Sequence, residues 1–356
     1  MSAVESFRQF RQSRWWILLV RPLLFLAVSL VVARILINLV GSVDWRQVAT
    51  ALGQLEWAQV PALAGLLVLR QAFNSIPLSV FVPGLGFRRG FQNDLTANLV
   101  GTLAPPPSDI VVRISMFRSW GISPVDGMPG VTLNSLAFYV IRFSIPILGV
   151  LLLIGRDLTS GQIWSAVISL VVAVAIILTL VLVARGESFA RIIGRRAALI
   201  AGRFRDNVDA EVWSDKVAGF RATMSTRLNR GLPPSLAALA AMVLTDGLIV
   251  LLCLRLVGID SSLLPVGLVL GSFFVAYPLT ALPLAGLGVL DAALVVAYTE
   301  TAGVAFEPEI VAALVVWRVV TILGTLALGA LTFVWWRWQI SRGRILSGDD
   351  PDEAGA

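Results

Sequence analysis

A chain of 356 residues with 57% hydrophobic and 14% charged residues and a mean hydropathy of +0.85 is too apolar for water to be its solvent. The absence of histidine excludes imidazole proton shuttles, Ser-His hydrolysis and His-ligated metal sites, and the single cysteine, Cys253, excludes an intramolecular disulfide. The formal net charge of +6 follows a topological pattern. Basic residues gather at Arg8, Arg11 and Arg14, at Arg88 and Arg89, from Arg185 to Arg230, and at Arg337, Arg342 and Arg344. The alternate loops carry Asp44, Glu56, Asp157, Asp260, Glu307 and Glu309. This is the positive-inside distribution of a multi-pass protein of the cytoplasmic membrane with both termini cytoplasmic, and it accounts for the charge without nucleic acid.

In chain order, a cytoplasmic N-terminus (1–15) precedes a first span from about Trp16 to Val40, with Arg21 and Arg34 near its ends. This stretch is too long for a signal-peptide core. Residues 43–57, between Trp45 and Trp57, read as an external amphipathic segment. A second span covers Ala58–Val82. The stretch from Phe91 to Gly121 is broken by Pro105, Pro106 and Pro107, which lack backbone donors and bar helical geometry before them, so a re-entrant hairpin is expected. Spans follow at Gly130–Ile154 and Ile163–Ala184. An Arg-rich cytoplasmic segment (185–230) is expected to lie on the membrane as helices, and a fifth span covers Pro234–Leu256. Leu263–Leu282 and Leu290–Thr301 then flank a second break, Pro-Leu-Ala-Gly-Leu-Gly at 283–288. The last span covers Ile310–Trp336, and residues 339–356 form a polar tail with a disordered composition.

The expected fold is an all-α polytopic membrane protein, with residues 16–338 as one transmembrane domain. Six spans plus two re-entrant hairpins, or eight full spans, satisfy the same charge rule. Two Pro/Gly-interrupted segments, one per half and opening to opposite faces, point to an inverted repeat with a site at its interface.

Ionisable side chains at membrane depth are expensive and mark a pathway or a paired interior. Arg70, Arg142, Asp246 and Arg318 lie near the middle of spans, Asp109 and Arg113 follow the triple proline, and Asp291 follows the second break. Asp109 and Arg113 are four apart, which suits a local ion pair. Arg70, Arg142 and Arg318 have no acid within four residues, so each needs Asp94, Asp246, Asp291, a carbonyl or an anionic ligand from elsewhere. A guanidinium at mid-membrane suits a phosphate. Around Pro283, Gly286 and Gly288 either present backbone amides to an anion at a half-helix start or serve close helix packing, as Gly267 and Gly271 do at GxxxG spacing. Asn93, Asn98 and Thr102 suit a cavity lining.

The stretch Leu69-Arg70-Gln71-Ala72-Phe73, then Asn98, Ala104-Pro105-Pro106-Pro107-Ser108-Asp109, Arg113 and Gly121-Ile122-Ser123 stand in order. The late element Pro283 to Asp291, Gly303-Val304 and Arg318 follow. From about Val43 to Trp338 this pattern resembles the flippase-like transmembrane part of the lysylphosphatidylglycerol synthase family. Asp109 and Asp291 stand where that family usually carries Glu, and Pro283 lacks the glycine that usually follows. The family's synthases continue into a cytoplasmic aminoacyl-transfer domain, whereas about 20 polar residues follow Trp336 here, so lysyl transfer is not expected.

The resemblance implies a bacterial cytoplasmic-membrane protein that translocates or binds an anionic lipid, a phospholipid or a polyprenyl-phosphate-linked one, with no cofactor and no catalysis. The alternative is a scaffold for a membrane glycosyltransferase or envelope-synthesis enzyme. An intramembrane aspartyl enzyme built on Asp246 and Asp291 is disfavoured, because Val289 and Leu290 separate Gly288 from the acid.

Overall fold

The computed structural model describes residues 59–104, 107–155, 167–176, 178 and 210–342, with the backbone alone at 210–226, 229 and 283–284. The expected first span, the segment 43–57, Pro105 and Pro106, most of the expected fourth span and the polar tail lie outside the described residues.

Every described element is helical. Four helical stretches are long and apolar enough to cross a membrane: α1 (Val60–Phe81), α4 (Pro124–Leu152), residues Arg230–Leu256 of α6 (Ala210–Leu256), and Val304–Ser341, which contains α10 (Glu307–Arg318) and α11 (Gly324–Ser341). Local chemistry sets their starts. Pro61 opens α1 with its φ already helical, and Ser123 caps α4 by accepting the Asp126 N–H at 3.2 Å, with Pro124 in the first turn. The apolar helix α5 (Val167–Ile176) is the described part of the expected fourth span.

Two stretches are broken into shorter pieces. At the proline break, α2 (Gly86–Leu103) meets α3 (Ser108–Ser119). The second break joins α7 (Val266–Ala276) and a 3-10 turn (Tyr277–Ala281), through the four-residue α8 (Pro283–Gly286), to α9 (Val289–Ala302). The two hairpins enter from opposite ends of the bundle. Trp120 and Ile122, after α3, cluster with Leu78, Val82, Leu85 and Trp336, which returns the first hairpin to the end where α1 stops. Arg255 donates to the carbonyls of Ile259 (2.7 Å) and Leu264 (2.6 Å) in the turn after α6, and Tyr298 donates to the Val269 carbonyl at 3.1 Å, tying α9 to α7 at the other end.

Residues 185–209 of the expected Arg-rich segment lie outside the described residues. The expected fifth span, Pro234–Leu256, is the C-terminal part of one 47-residue helix that begins at residue 210 and runs through Pro233 and Pro234. Those prolines leave the carbonyls of residues 229 and 230 without their intrahelical donors, yet the helix does not end, so the two prolines lie inside it and do not start it.

The described interior is mainly apolar but also holds polar side chains, and many apolar side chains face outward. Gln71, Ser75, Asn93, Thr96 and Asp246 are buried, while Leu69, Leu151, Val296 and Leu331 are exposed, as a lipid environment requires. Gly149 of α4 and Gly271 of α7 bring two backbones into contact: a Cβ on Gly149 would sit 2.7 Å from the Gly271 carbonyl oxygen, and one on Gly271 would sit 2.7 Å from Leu153 Cγ. The expected small-residue packing is therefore realised at Gly271, against a glycine of another helix. Gly271→Val should lower stability by about 1–3 kcal/mol through overpacking, read as an earlier thermal melt in detergent. Gly65→Ala, where nothing lies within 4 Å of the added carbon, should melt no earlier than the native chain.

Candidate functional site

The tips of both hairpins, the middles of α1 and α4, the C-terminal half of α6 and the junction of α10 with α11 line a cavity of about 720 Å³. Gly101 and Thr102 reach it from the first break, Thr280, Ala285 and Leu287 from the second, and Arg70, Arg142, Asp246 and Arg318 from the spans. The arginines are positioned differently.

Arg70 of α1 is bonded to Asp246 of α6 at 3.1 Å, and Trp317 of α10 donates its indole N–H to the other Asp246 oxygen at 3.0 Å. One carboxylate therefore joins three helices. Arg318 grips Asp291 through two nitrogens, at 2.7 and 3.0 Å, and donates to the Ala285 carbonyl at 3.3 Å. The fork geometry makes this the strongest type of charge-assisted bond. Asp291 also accepts the Gly288 N–H at 2.7 Å.

The glycines of the second break thus serve close backbone geometry: Gly286 and Gly288 have φ of 70° and 83°, and a Cβ on Gly286 would collide with the Leu279 carbonyl. The start of α9 is occupied by the protein's own Asp291, and the Gly288 amide is taken. Ala285, in the same turn, holds φ 55° without being glycine, a strained conformation for an L-residue.

Arg113 does not pair with Asp109. It reaches across the hairpin to Asp94 at 2.9 Å and to Asn93 Oδ1 at 2.9 Å, and Asn74 donates to the second Asp94 oxygen. The physical reason is burial: Asp94 and Asn93 are enclosed between helices, whereas Asp109 is partly exposed beside Gly101, so the low-dielectric partner wins over the helical neighbour. Asn93 serves this pair and does not line the cavity; Asn98 and Thr102 do line it. Pro107 precedes α3 and accepts the N–H groups of Ile110 and Val111 on its carbonyl.

Arg142 of α4 is left over. Among the described residues it has no carboxylate and no hydrogen-bond partner; its guanidinium lies over Phe138 (4.4 Å) and Tyr139 (5.2 Å). Its Nε, Arg70 Nε and Asn134 Oδ1 are buried without partners, and all three belong to residues of the cavity wall. A buried polar atom without a partner is unusual in a folded chain, and three such atoms belong to residues of one cavity wall.

Residues 22–329 match the family model described as Lysylphosphatidylglycerol synthase TM region. The chain belongs to that family. Nothing matches among curated proteins or among solved structures. Within this lysylphosphatidylglycerol synthase transmembrane frame, Arg70, Arg142, Asp246 and Arg318 line one cavity, Asp291 adjoins it through Arg318 and Arg113 through Asp94, and Asp109 is not part of its wall. The sequence reading did not single out Asn74, Asn134, Tyr277 or Trp317, which also face the cavity. Periodicity could have found Asn134, since it lies eight residues before Arg142 on the same helical stripe.

The two kinds of arginine separate by stability. Asp246→Asn leaves Arg70 buried without its counter-charge and should cost roughly 3–5 kcal/mol. Arg142→Gln removes an unpaired cation and should cost less or stabilise. Thermal melts of the two variants in one detergent check this ordering.

Proposed function

We propose that this chain binds the headgroup of an anionic lipid in the mid-bundle cavity and carries it across the membrane, without catalysing a reaction. The observation that carries the reading is an Arg142 guanidinium without a carboxylate partner among the described residues, in a cavity whose wall carries several polar groups at the depth where charge is most costly. A volume of about 720 Å³ lies within the range of small-ligand sites, roughly 300–1,000 Å³. The headgroup of a phospholipid or polyprenyl phosphate occupies such a space while its tails stay in the bilayer. Two broken hairpins whose tips meet at the site suit a molecule that opens to one face at a time. The charge asymmetry of the sequence supports a bacterial cytoplasmic membrane with both termini inside.

The test is purified protein in liposomes carrying headgroup-labelled anionic phospholipid, read by an impermeant quencher. Label in the inner leaflet should become accessible faster than in empty vesicles, and Arg142→Gln should slow this at least about tenfold, the loss of one charge-assisted contact. No acceleration with several anionic lipids would overturn transport and leave the scaffold for an envelope-synthesis enzyme as the reading to pursue.

A further inference from the structure

The end of the bundle that carries the exposed Arg88 and Arg89 is shut beneath the cavity at one side chain, and this step rests on the proposed reading that the site opens to one face at a time. Phe81, the last residue of α1, is fully buried. Its ring lies against Gly231 of α6, where an added Cβ would sit 2.8 Å from Phe81 Cε1. Its carbonyl lies against Gly130 of α4, where an added Cβ would sit 2.8 Å from the oxygen. Three helices that line the cavity therefore close on one residue, and two of them meet it with a glycine. The helix rise puts Phe81 about 10 Å beyond Asn74 of the cavity wall, Gly130 about 6 Å beyond Asn134 and Gly231 about 12 Å beyond Leu239. The closure lies between the cavity and the basic end of the protein.

Arg227, one turn before Gly231 on α6, holds this closure. Its Nη1 donates to the Asp126 carbonyl at 2.6 Å and to the Phe81 carbonyl at 3.4 Å, with Nη2 3.9 Å from the Asp126 carboxylate. The Phe81 carbonyl is one of those left open at a helix end, so one guanidinium fastens the C-terminus of α1 and the N-terminus of α4 to α6. The Asp126 side chain is 64% exposed, and its charge adds little to the clamp.

Two further features mark a closure that opens. Pro233 and Pro234 take the intrahelical donors from the carbonyls of residues 229 and 230. α6 is therefore weakened beside Gly231, where a bend carries Arg227 away from Phe81. One turn nearer the cavity, Ser235 Oγ is buried and without a partner, a cost that ends when water reaches it.

We propose that Phe81 is the gate between the cavity and the basic face of the protein, and that Arg227 is its latch. Opening is a bend of α6 across residues 231–234 that removes Arg227 from the two carbonyls, withdraws Gly231 from the ring and wets Ser235.

Side-specific labelling tests this without a lipid assay. In the full chain the buried Cys253 is replaced by Ala, and Thr280→Cys puts one thiol in the cavity wall. A membrane-impermeant maleimide is added from either face of sealed vesicles. The basic face is the one from which a control Val125→Cys, at an 82% exposed position, reacts. Thr280→Cys alone should react slowly from that face. Adding Arg227→Gln should raise this rate at least about tenfold, the loss of bonds from a charged donor, and leave the rate from the opposite face unchanged. Phe81→Ala should do the same, and so should Gly231→Ala, which pushes the ring aside and touches no charge. Arg227→Lys should give an intermediate rate, and Asp126→Asn should change it less than about twofold. Rates that stay at the native value or rise equally from both faces overturn the gate, as does a native chain that reacts as fast as the variants. Gated labelling without lipid crossing overturns the proposed transport and leaves the gate standing, whereas lipid crossing with unaltered labelling overturns the gate alone.

Discussion

A buried charge in a lipid environment has to be answered from within the protein, and the Arg70–Asp246–Trp317 junction is where this chain answers it. The carboxylate takes the Arg70 guanidinium on one oxygen and the Trp317 indole on the other, so α1, α6 and α10 are fastened at mid-depth by one group. Those helices come from distant parts of the sequence, and greasy surfaces alone do not fix their register, because hydrocarbon competes equally for every apolar face. A polar junction does fix it, since any slip leaves a charge without its partner. The cavity lies beside this junction because the same constraint that buries polar groups together also keeps lipid tails out of the space between them.

The two breaks extend that logic to the backbone. Unpaired carbonyls and amides survive at membrane depth only where protein or a polar cavity receives them. At the second break Arg318 takes the Ala285 carbonyl and Asp291 takes the Gly288 amide, so one ion pair satisfies both sides of the interruption. Arg318 is followed at once by a π-helical turn, Val319–Leu323, before α11. An expanded turn of this kind lets the helix change its face by a fraction of a turn, which directs Arg318 at the broken segment while α11 keeps Thr325 against Gln71 of α1.

Much of this architecture was legible in the sequence. Spans are fixed by apolar length, and prolines and glycines announce where a helix cannot continue, so both breaks were readable to within a few residues. The mid-span charges were readable as a group because their cost in hydrocarbon is large. Their pairing was not. Arg113 sits four residues from Asp109, and helical spacing favours that pair, but burial against Asn93 and Asp94 decides the outcome. The glycines near Gly288 suit either an anion or close packing, and the short reach from Asp291 to the start of its own helix takes the Gly288 amide. The fifth span reads as beginning at Pro234, whereas the helix runs through that residue from Ala210. In each case a local rule was correct about energy and silent about which distant group would be closer.

The contrast between the paired arginines and Arg142 bears on mechanism. An ion pair in low dielectric is costly to open, so Arg70 and Arg318 hold the frame in one arrangement. Arg142 rests on aromatic faces, an attraction of about 0.5 to 2 kcal/mol, weaker than a charge-assisted bond to phosphate. A guanidinium held this way is charged and oriented, yet free to exchange a ring face for an anion without breaking a salt bridge. Among the described mid-bundle arginines, three close the structure on itself, and the fourth, Arg142, keeps its charge without a carboxylate partner.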